Sequence, residues 1–369
     1  MLDALFGTGP QLVHGPNAAG KTSLLEAIVL LARGRSHRTG TDGELVRWGC
    51  ELARVEARVG RPDDTPEQCH AIEVALVRTA SGGASKRIRV NGVARRASAL
   101  GGTVRTVMFA PEDMLLVSGS PSMRREALDT LAAERTPGHA RDLATFGRAL
   151  QQRNGLLRLI REDQATRAEL KFWDAQLLEA GASVREERQR LLAALAEPLA
   201  AAHAEIAPDE ASSGRLEASY TTNAPQQPGE SVREALRRRL VETADKEVWN
   251  GTTLIGPHRD DLSFEMGGRA LASFASRGQQ RTAILAFKLA EVDLLTAIDG
   301  RPPLLLLDDV FSELDPERRA HLVRRIAALP QAFVTTTTLG DIDPALRSIG
   351  TTWAVRVDAD GTARVGRDA

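Results

Sequence analysis

Cysteine is almost absent from this chain. Cys50 and Cys69 are the only two, and neither sits in metal-ligand spacing. Two thiols cannot build a disulfide framework, so a reducing cytoplasm is the expected compartment. Aromatic residues make up 4% of the chain, with Tyr220 the single tyrosine, which excludes an extended platform for stacking single-stranded bases. Long apolar runs are missing too. The best candidate, residues 23–32, is short and contains Glu26, so no membrane span is expected. Asp3 precedes any basic residue and no apolar segment follows at once, so no secretory leader is read. Excess charge of one sign is also lacking. A net charge of -1 and a pI ≈ 6.7 exclude coating of nucleic acid by bulk charge. A nucleic-acid role therefore needs a local basic patch. Lysine is scarce (Lys21, Lys86, Lys171, Lys246 and Lys288), and arginine supplies the remaining cations.

What is present is ordinary in bulk and specific in detail. With 369 residues, 42% hydrophobic and 26% charged, the chain is long enough for two domains with a large core. The most informative stretch is Gln11-Leu12-Val13-His14-Gly15-Pro16-Asn17-Ala18-Ala19-Gly20-Lys21-Thr22-Ser23. A short apolar run ends in Gly-x-x-x-x-Gly-Lys-Thr and continues into a helical pattern over Leu24 to Leu31, the phosphate-binding loop of a nucleoside triphosphatase. Gly15 and Gly20 let the backbone curl so that its N–H groups point inward. Those groups and the positive end of the following helix cradle phosphate oxygens. Lys21 is expected to reach the β- and γ-phosphates, and the Thr22 hydroxyl to ligate Mg²⁺. Residues Gly15, Pro16, Asn17, Ala18, Ala19, Gly20, Lys21, Thr22 and Ser23 are thus the first candidate nucleotide contacts.

Downstream, Arg33-Gly34-Arg35-Ser36-His37-Arg38-Thr39-Gly40 is a basic turn one helix away from the phosphates. It reads either as a nucleotide contact through Arg38 or as a solvated helix C-terminus offsetting the dipole. Residues 51–59 and 70–78 alternate as β-strands, and Arg87-Ile88-Arg89-Val90 leads into the hairpin signal Asn91-Gly92. Another strand is expected over Val104 to Phe109, so this part predicts an antiparallel β-layer beside the P-loop core. Glycine and proline at 119–122 then start a helix that carries Arg124 and Arg125 in its first turns, against the dipole. These two arginines are either solvated or engaged with something anionic.

From Met123 to Asn250 helical spacing replaces alternation, through Leu143, Phe146, Leu150 and Leu157 and on to Leu191, Leu195 and Leu199. The helix is expected to break at Pro198 and Pro208. The charges over 185–190 read as a solvated helical face. Residues 214–229 read as a connector, and Arg237-Arg238-Arg239 as solvated. A strand is expected at Thr252 to Ile255, followed by Gly256-Pro257-His258-Arg259-Asp260-Asp261 as a buried, charge-paired turn and by a hairpin at Gly267-Gly268.

Three later segments fix the type of ATPase. Ser276-Arg277-Gly278-Gln279-Gln280-Arg281 opens an amphipathic helix and makes a second anion-binding nest. A P-loop protein already has one cradle, so the second makes sense on the γ-phosphate of a partner's nucleotide. Pro303 to Leu307 is a buried strand ending in Asp308 and Asp309. Asp308 is expected to hold Mg²⁺ through water, and Asp309 to orient or deprotonate the attacking water. Ser312-Glu313-Leu314-Asp315 follows, then a helix over Arg318 to Ala328 and a strand ending in Thr335 to Thr338. A hydroxyl there, taken as Thr336, is expected to sense the γ-phosphate.

In this order these segments resemble an ABC-type ATPase head of the SMC class, and most closely the RecF family. The matching segments are GPNAAGKTSLLEAI, GRSHRT, PEDMLLVSGSP, TLIGPHRDDL, SRGQQRTAILAFKLAE and LLLLDDVFSELD, spanning nearly the whole chain. The resemblance implies a P-loop α/β head, discontinuous over 1–122 and 246–369, with an inserted α-helical arm over 123–245. It implies ATP and Mg²⁺, with Lys21, Asp308 and Asp309 as catalytic residues. Arg38, Ser276, Gly278, Gln279, Asp315 and Thr336 join the loop as nucleotide contacts. It further implies an ATP-dependent homodimer with two composite sites, and DNA binding at duplex adjoining gaps. Slow DNA-stimulated hydrolysis and cooperation with RecO and RecR to load RecA are implied as well. Arg124, Arg125 and the helical arm are candidate DNA contacts.

Departures from the family pattern are specific. Members carry a further strand region before the segment matching Met1 to Phe6, so the start lies upstream or a sheet edge is bare. Glu112 stands where many ABC ATPases carry glutamine, and Arg277 where a neutral side chain is commoner. Asp309 has one methylene less reach than the usual glutamate, which favours slow, switch-like turnover. The competing class is an ATPase subunit of a membrane transporter. The long helical insertion and the lack of a histidine at 335–338 count against it, and the chain leaves no room for a nuclease module.

Overall fold

A computed structural model describes residues 3–60, 64–65, 67–80, 82–100, 102–311, 314–358 and 361–368. The chain opens with β1 (Gly9–His14) and α1 (Lys21–Arg33), followed by β2 (Leu52–Val59), β3 (His70–Arg78), β4 (Ala84–Val90) and β5 (Val93–Arg95). After β6 (Thr106–Phe109) the longer helices are α2 (Pro121–Arg135), α3 (His139–Arg161) and α4 (Leu170–Ile206). Next come β7 (Leu216–Thr221), α5 (Val232–Glu242), α6 (Ala244–Asn250), β8 (Asp261–Met266) and β9 (Arg269–Ala270). The last part holds α7 (Arg277–Asp299), β10 (Leu304–Asp308), α8 (Pro316–Ala327), β11 (Gln331–Thr336), β12 (Thr351–Val357) and β13 (Ala363–Arg367).

Two compact units result. The first contains Met1–Asp113, Glu205–Ala207 and Glu291–Ala369, and the second Met114–Ala204 and Pro208–Ala290. The division at 122/123 and 245/246 follows the change of sequence pattern; the compact units follow density of packing, and the two do not coincide.

The first unit is built on a six-stranded sheet of order β13-β12-β1-β11-β10-β6, parallel except for the β12–β13 pair. Its parallel strands read as continuous apolar runs, as expected for strands covered on both faces. Beside it lies the expected antiparallel layer, order β2-β3-β4-β5, but the strand read with it at 104–109 joins the main sheet instead, as β6 parallel to β10. Helix α1 serves both sheets. Leu24, Leu25 and Val29 join Val13, Leu306, Phe333 and Trp353 in one cluster, while Leu30 and Leu31 join Ile72, Val74, Leu76 and Ile88 in another. Each such buried side chain contributes about 1.5–3 kcal/mol, so the helix that carries the P-loop is fixed from two sides.

Strand β1 is itself braced. Gln11 is fully buried, donates from Nε2 to the carbonyls of Gly7, Thr8 and Gly9, and accepts the Trp353 indole N–H at 3.0 Å. A buried amide with all of these partners costs little and fixes how the chain enters the loop.

The second unit is mostly helical, but not wholly. β7 falls inside the stretch read as a connector and pairs antiparallel with β8, from Leu216↔Met266 to Thr221↔Asp261. The strand read at 252–255 does not form; those residues are bend and coil. Pro198 does not end the helix either, because α4 runs through it to Ile206. Leu191, Leu195 and Leu199 are fully buried along one face, and this packing outweighs the roughly 3 kcal/mol that an interior proline costs an isolated helix.

The charged run at 185–190 corrects the expected solvated face. Arg185, Glu187 and Arg188 are buried. Arg188 forks onto Asp129 from Nε and Nη2 at 2.8 and 2.7 Å and donates from Nη1 to the Pro257 carbonyl at 2.7 Å. Tyr220 donates to Asp260 at 2.7 Å, Arg125 to the Asp260 carbonyl at 3.0 Å, and Arg124 forks onto Asp261 at 2.8 Å. The 256–261 turn is therefore the buried, charge-paired turn expected. Its neighbour Arg153 binds Asp174, Thr253 and Glu247. Burial and the nearby arginines Arg259, Arg125 and Arg153 lower the His258 pKa to about 4, although the Thr253 carbonyl pulls the other way. Arg238 and Arg239 are also committed, to Glu230, Glu242 and the backbone of Pro225 and Asn223.

Candidate nucleotide-binding and hydrolysis site

The registers of the six-stranded sheet place the sequence motifs side by side. β11 lies between β1 and β10, with Val13↔Thr335, His14↔Thr336 and Asp308↔Thr335 as neighbours. The phosphate loop after β1 and the acid pair after β10 therefore open from the same C-terminal edge, two strand spacings apart, or about 10 Å. In parallel α/β sheets that edge is where ligands bind.

The loop geometry explains its glycines. A Cβ on Gly15 would lie 2.4 Å from the carbonyl oxygen of Val355, so the backbone passes β12 too closely for any side chain. Gly20 adopts φ 103° as it hands over to α1, and Ala18 also takes a positive φ of 62°. Lys21 is buried and donates from Nζ to the carbonyls of Gly15 and Pro16, at 2.7 and 3.0 Å. The ammonium thus lies inside the curl of the loop. Thr22 is half-buried and Ser23 exposed at the start of α1.

At the acid pair, the decisive side chain is Thr335. Its hydroxyl donates to Asp308 Oδ1 at 2.5 Å, and the same oxygen accepts the Asp309 N–H at 3.0 Å. Asp309 takes a left-handed φ of 52°, which turns the chain sharply after the strand. Thr336, the threonine expected from sequence to sense the γ-phosphate, is buried and donates to the Thr338 carbonyl at 2.9 Å. Among the described residues no group of three His, Cys, Asp or Glu could hold a metal unaided. The hard oxygens of Thr22 and Asp308 fit Mg²⁺, an ion that completes its shell with water and substrate phosphate.

The basic turn is folded back by Glu26 of α1. Ser36 donates to Glu26 at 2.5 Å and accepts the N–H groups of Arg38 and Thr39 at 2.9 and 3.2 Å. Arg38 lies 3.6 Å from the other Glu26 oxygen with its side chain about half exposed (47%). His37 has both ring nitrogens buried with no hydrogen-bond partner among the described residues, and burial lowers its pKa despite Glu26. Glu112 is exposed.

Asp315 caps α8, accepting the Arg318 N–H at 3.0 Å and the Arg318 guanidinium at 2.6 Å. Ser312 and Glu313 lie outside the described residues. In the second unit, Ser276 and Gln279 form a reciprocal cap at the start of α7: Ser276 N–H donates to Gln279 Oε1 at 2.9 Å, and Gln279 N–H to Ser276 Oγ at 3.2 Å. Ser276 and Arg277 are exposed, and Gly278 half-buried. Of the candidate DNA contacts, Arg124 and Arg125 are drawn inward to the 256–261 turn.

The family model described as RecF/RecN/SMC N terminal domain matches residues 2–356. The chain belongs to that family. It is 40% identical over 359 residues to the DNA replication and repair protein RecF of Herpetosiphon aurantiacus, covering 93% of this chain and 91% of the relative. It is 38% identical over 352 residues to the RecF of Bacillus subtilis, covering 94% and 92%. A solved structure described as the recombination mediator protein RecF-ATPrS in the RecFOR pathway superposes with TM-score 0.86 at 31% identity, covering 99% of this chain and 94% of that one. An SMC head bound to the C-terminal winged-helix domain of ScpA superposes with TM-score 0.51 at 14% identity, a likeness of fold. The fold is therefore the RecF/SMC type of ABC ATPase head with an inserted helical lobe. No helix among the described residues is long and apolar enough to cross a membrane.

Proposed function

We propose that this chain is an ATP-gated DNA clamp of recombinational repair and replication-fork maintenance in the cytoplasm. The observation that carries the proposal is the shared edge of β1, β11 and β10, where the phosphate loop and the Thr335-held acid pair open together. The relatives named DNA replication and repair protein support the biological setting. The likeness to a RecF solved with a triphosphate analogue in its description supports ATP as the ligand.

In this reading Gly15 to Ser23 hold the triphosphate and Arg38 contacts it from the basic turn. Lys21 exchanges its two carbonyls for phosphate oxygens, a charge-assisted and stronger pairing. Thr22, directly, and Asp308, through water, would hold Mg²⁺, which when bound would supply positive charge beside the transferred phosphoryl group. Asp309 orients the attacking water. Ser276, Gly278 and Gln279 of a second copy cap the γ-phosphate, with Asp315 at the same interface, so ATP joins two copies and hydrolysis parts them. The ATPase head comprises 1–122 and 246–369, and the inserted arm 123–245. DNA is held through phosphates, not bases, at duplex adjoining a gap. Turnover is slow and DNA-stimulated, and the clamp works with RecO and RecR to load RecA.

Light scattering with and without ATP tests this. The native chain should form dimers with ATP, and Ser276→Arg should bind ATP yet stay monomeric in the same assay. A Ser276→Arg chain that dimerises like the native one refutes the composite site. Equal affinity for gapped duplex with and without ATP refutes the gating.

A further inference from the structure

A DNA clamp of net charge -1 needs a local basic patch, and the arginines first expected to supply it, Arg124 and Arg125, are drawn inward. Between Glu73 and Glu112 the sequence holds seven arginines and lysines and no acidic residue. Four of these cations are committed. Arg105 forks onto Asp299, Arg78 donates to the Val46 and Cys50 carbonyls, Lys86 pairs with Asp42 at 2.7 Å, and Arg89 lies 3.8 Å from Glu73. The other three, Arg87, Arg95 and Arg96, are exposed and have no carboxylate partner among the described residues. Arg87 lies in β4, Arg95 ends β5, and Arg96 follows it, so all three belong to one hairpin.

That hairpin is stiff and open to approach. β4 and β5 pair from Ile88↔Arg95 to Val90↔Val93. Asn91 and Gly92 close the turn with φ of 50° and 76°, the two left-handed positions of a tight hairpin. Its arginines therefore stand on a fixed backbone. Ser85, Ala94, Ala97 and Ser98 beside them are small, so no bulky side chain at these positions holds a long polyanion away. Glu56 and Glu73 share the outer face of the sheet with Arg89, and Arg54 engages both carboxylates. Guanidinium groups gathered in this way repel one another, and a row of phosphates removes that cost.

We propose that the β4–β5 hairpin is a DNA contact of the clamp, with Arg87, Arg95 and Arg96 on backbone phosphates. This rests on the reading of the chain as a DNA-binding ATPase and names the surface that holds the duplex. Arginine takes phosphate oxygens in a two-pronged grip, and such contacts position a protein without reading sequence. The seat of the hairpin favours it over other exposed arginines. A Cβ on Gly34 would lie 2.7 Å from the Ala97 Cβ and 3.0 Å from Ile88 Cδ1, so the hairpin rests against the residue that ends α1. The phosphate loop lies at the other end of α1, and the Ser36–Arg38 turn follows Gly34 closely. A surface gated by ATP has to stand near the elements that hold ATP, and this one does.

Fluorescence anisotropy tests the contact, with a labelled duplex adjoining a single-stranded gap titrated by the full chain and ATP over a range of NaCl. The triple variant Arg87→Ala/Arg95→Ala/Arg96→Ala should bind about tenfold or more weakly, and equally so on unrelated sequences. Its slope of log affinity against log salt should fall by about three, one for each arginine. Arg87→Lys/Arg95→Lys/Arg96→Lys keeps the charges and should keep the native slope. Circular dichroism and the ATP-dependent dimer report the folding of both variants. Native affinity and slope in the alanine variant overturn the proposal while leaving the gated clamp standing. An equal loss in the lysine variant also overturns it, because the defect then lies in packing and not in charge. A native chain that binds no DNA with ATP overturns this contact and the clamp together.

Discussion

Thr335 Oγ1 lies 2.5 Å from Asp308 Oδ1, and this one hydroxyl ties Asp308, the acid proposed to hold Mg²⁺, to the neighbouring strand. Because the same oxygen accepts the Asp309 N–H, it sets both members of the acid pair at once. Thr335→Val keeps the shape but removes both bonds, leaving a buried N–H and carboxylate under-satisfied at a cost of about 1–3 kcal/mol. ATP turnover should fall at least tenfold with the melting temperature lowered, while Thr335→Ser should stay near native. Single-turnover hydrolysis and thermal melts check both.

Lys21 donates to the Gly15 and Pro16 carbonyls, so it stabilises the loop in addition to its proposed phosphate contact. Lys21→Met should therefore weaken ATP binding by at least about tenfold and also lower the melting temperature without nucleotide. Gly15→Ala should do both more severely, since its Cβ would press on the Val355 carbonyl. Isothermal titration and melts on each variant decide; a Gly15→Ala chain with native melting would refute the close approach.

How much of this was legible in the sequence depends on the range of the contacts. The phosphate loop is contiguous, so its glycines, lysine and following helix could be read directly. The acid pair was legible because a buried parallel strand is an unbroken apolar run. Which threonine serves it was not: 335–338 are all threonine, and only the β10–β11 register places Thr335 beside Asp308. The 185–190 run was misread because charge blocks usually stay in water, and Asp129, which takes Arg188 inside, lies 59 residues earlier. β7 was missed because its partner β8 lies beyond two intervening helices, and nothing local announces the pairing.

The Arg188–Asp129 pair is almost wholly enclosed. Arg188→Met should cost about 3–5 kcal/mol, because it leaves Asp129 buried with His139 as its remaining side-chain hydrogen-bond partner among the described residues. The loss should shrink in the double variant Arg188→Met/Asp129→Leu. A double-mutant cycle by urea unfolding measures the coupling; independent, additive losses would contradict the pairing.

His258 gives the fold a defined acid sensitivity. Its folded pKa is about 4, against 6.5 for an ordinary histidine, chiefly because burial disfavours the charged ring. Between those values the unfolded chain binds a proton that the folded chain refuses, so this stabilisation is complete above pH 6.5 and is lost as the pH falls toward 4. Urea unfolding across that range should show the decline, and His258→Gln should flatten it. An equally steep decline in the variant would assign the effect to other groups.

The sheet order also constrains how the protein is made. β1 completes its pairing only with β11 and β12, which lie at 331–336 and 351–357. Ribosomes make a chain from its N-terminus onward, so the phosphate loop emerges long before β11 and β12, its two sheet neighbours, have been made. Such distant pairing carries a high loop-closure cost and slows folding. Nascent and truncated chains ending before β11 should therefore not retain ATP, and nucleotide capture becomes a property of copies whose synthesis has passed β11 and β12.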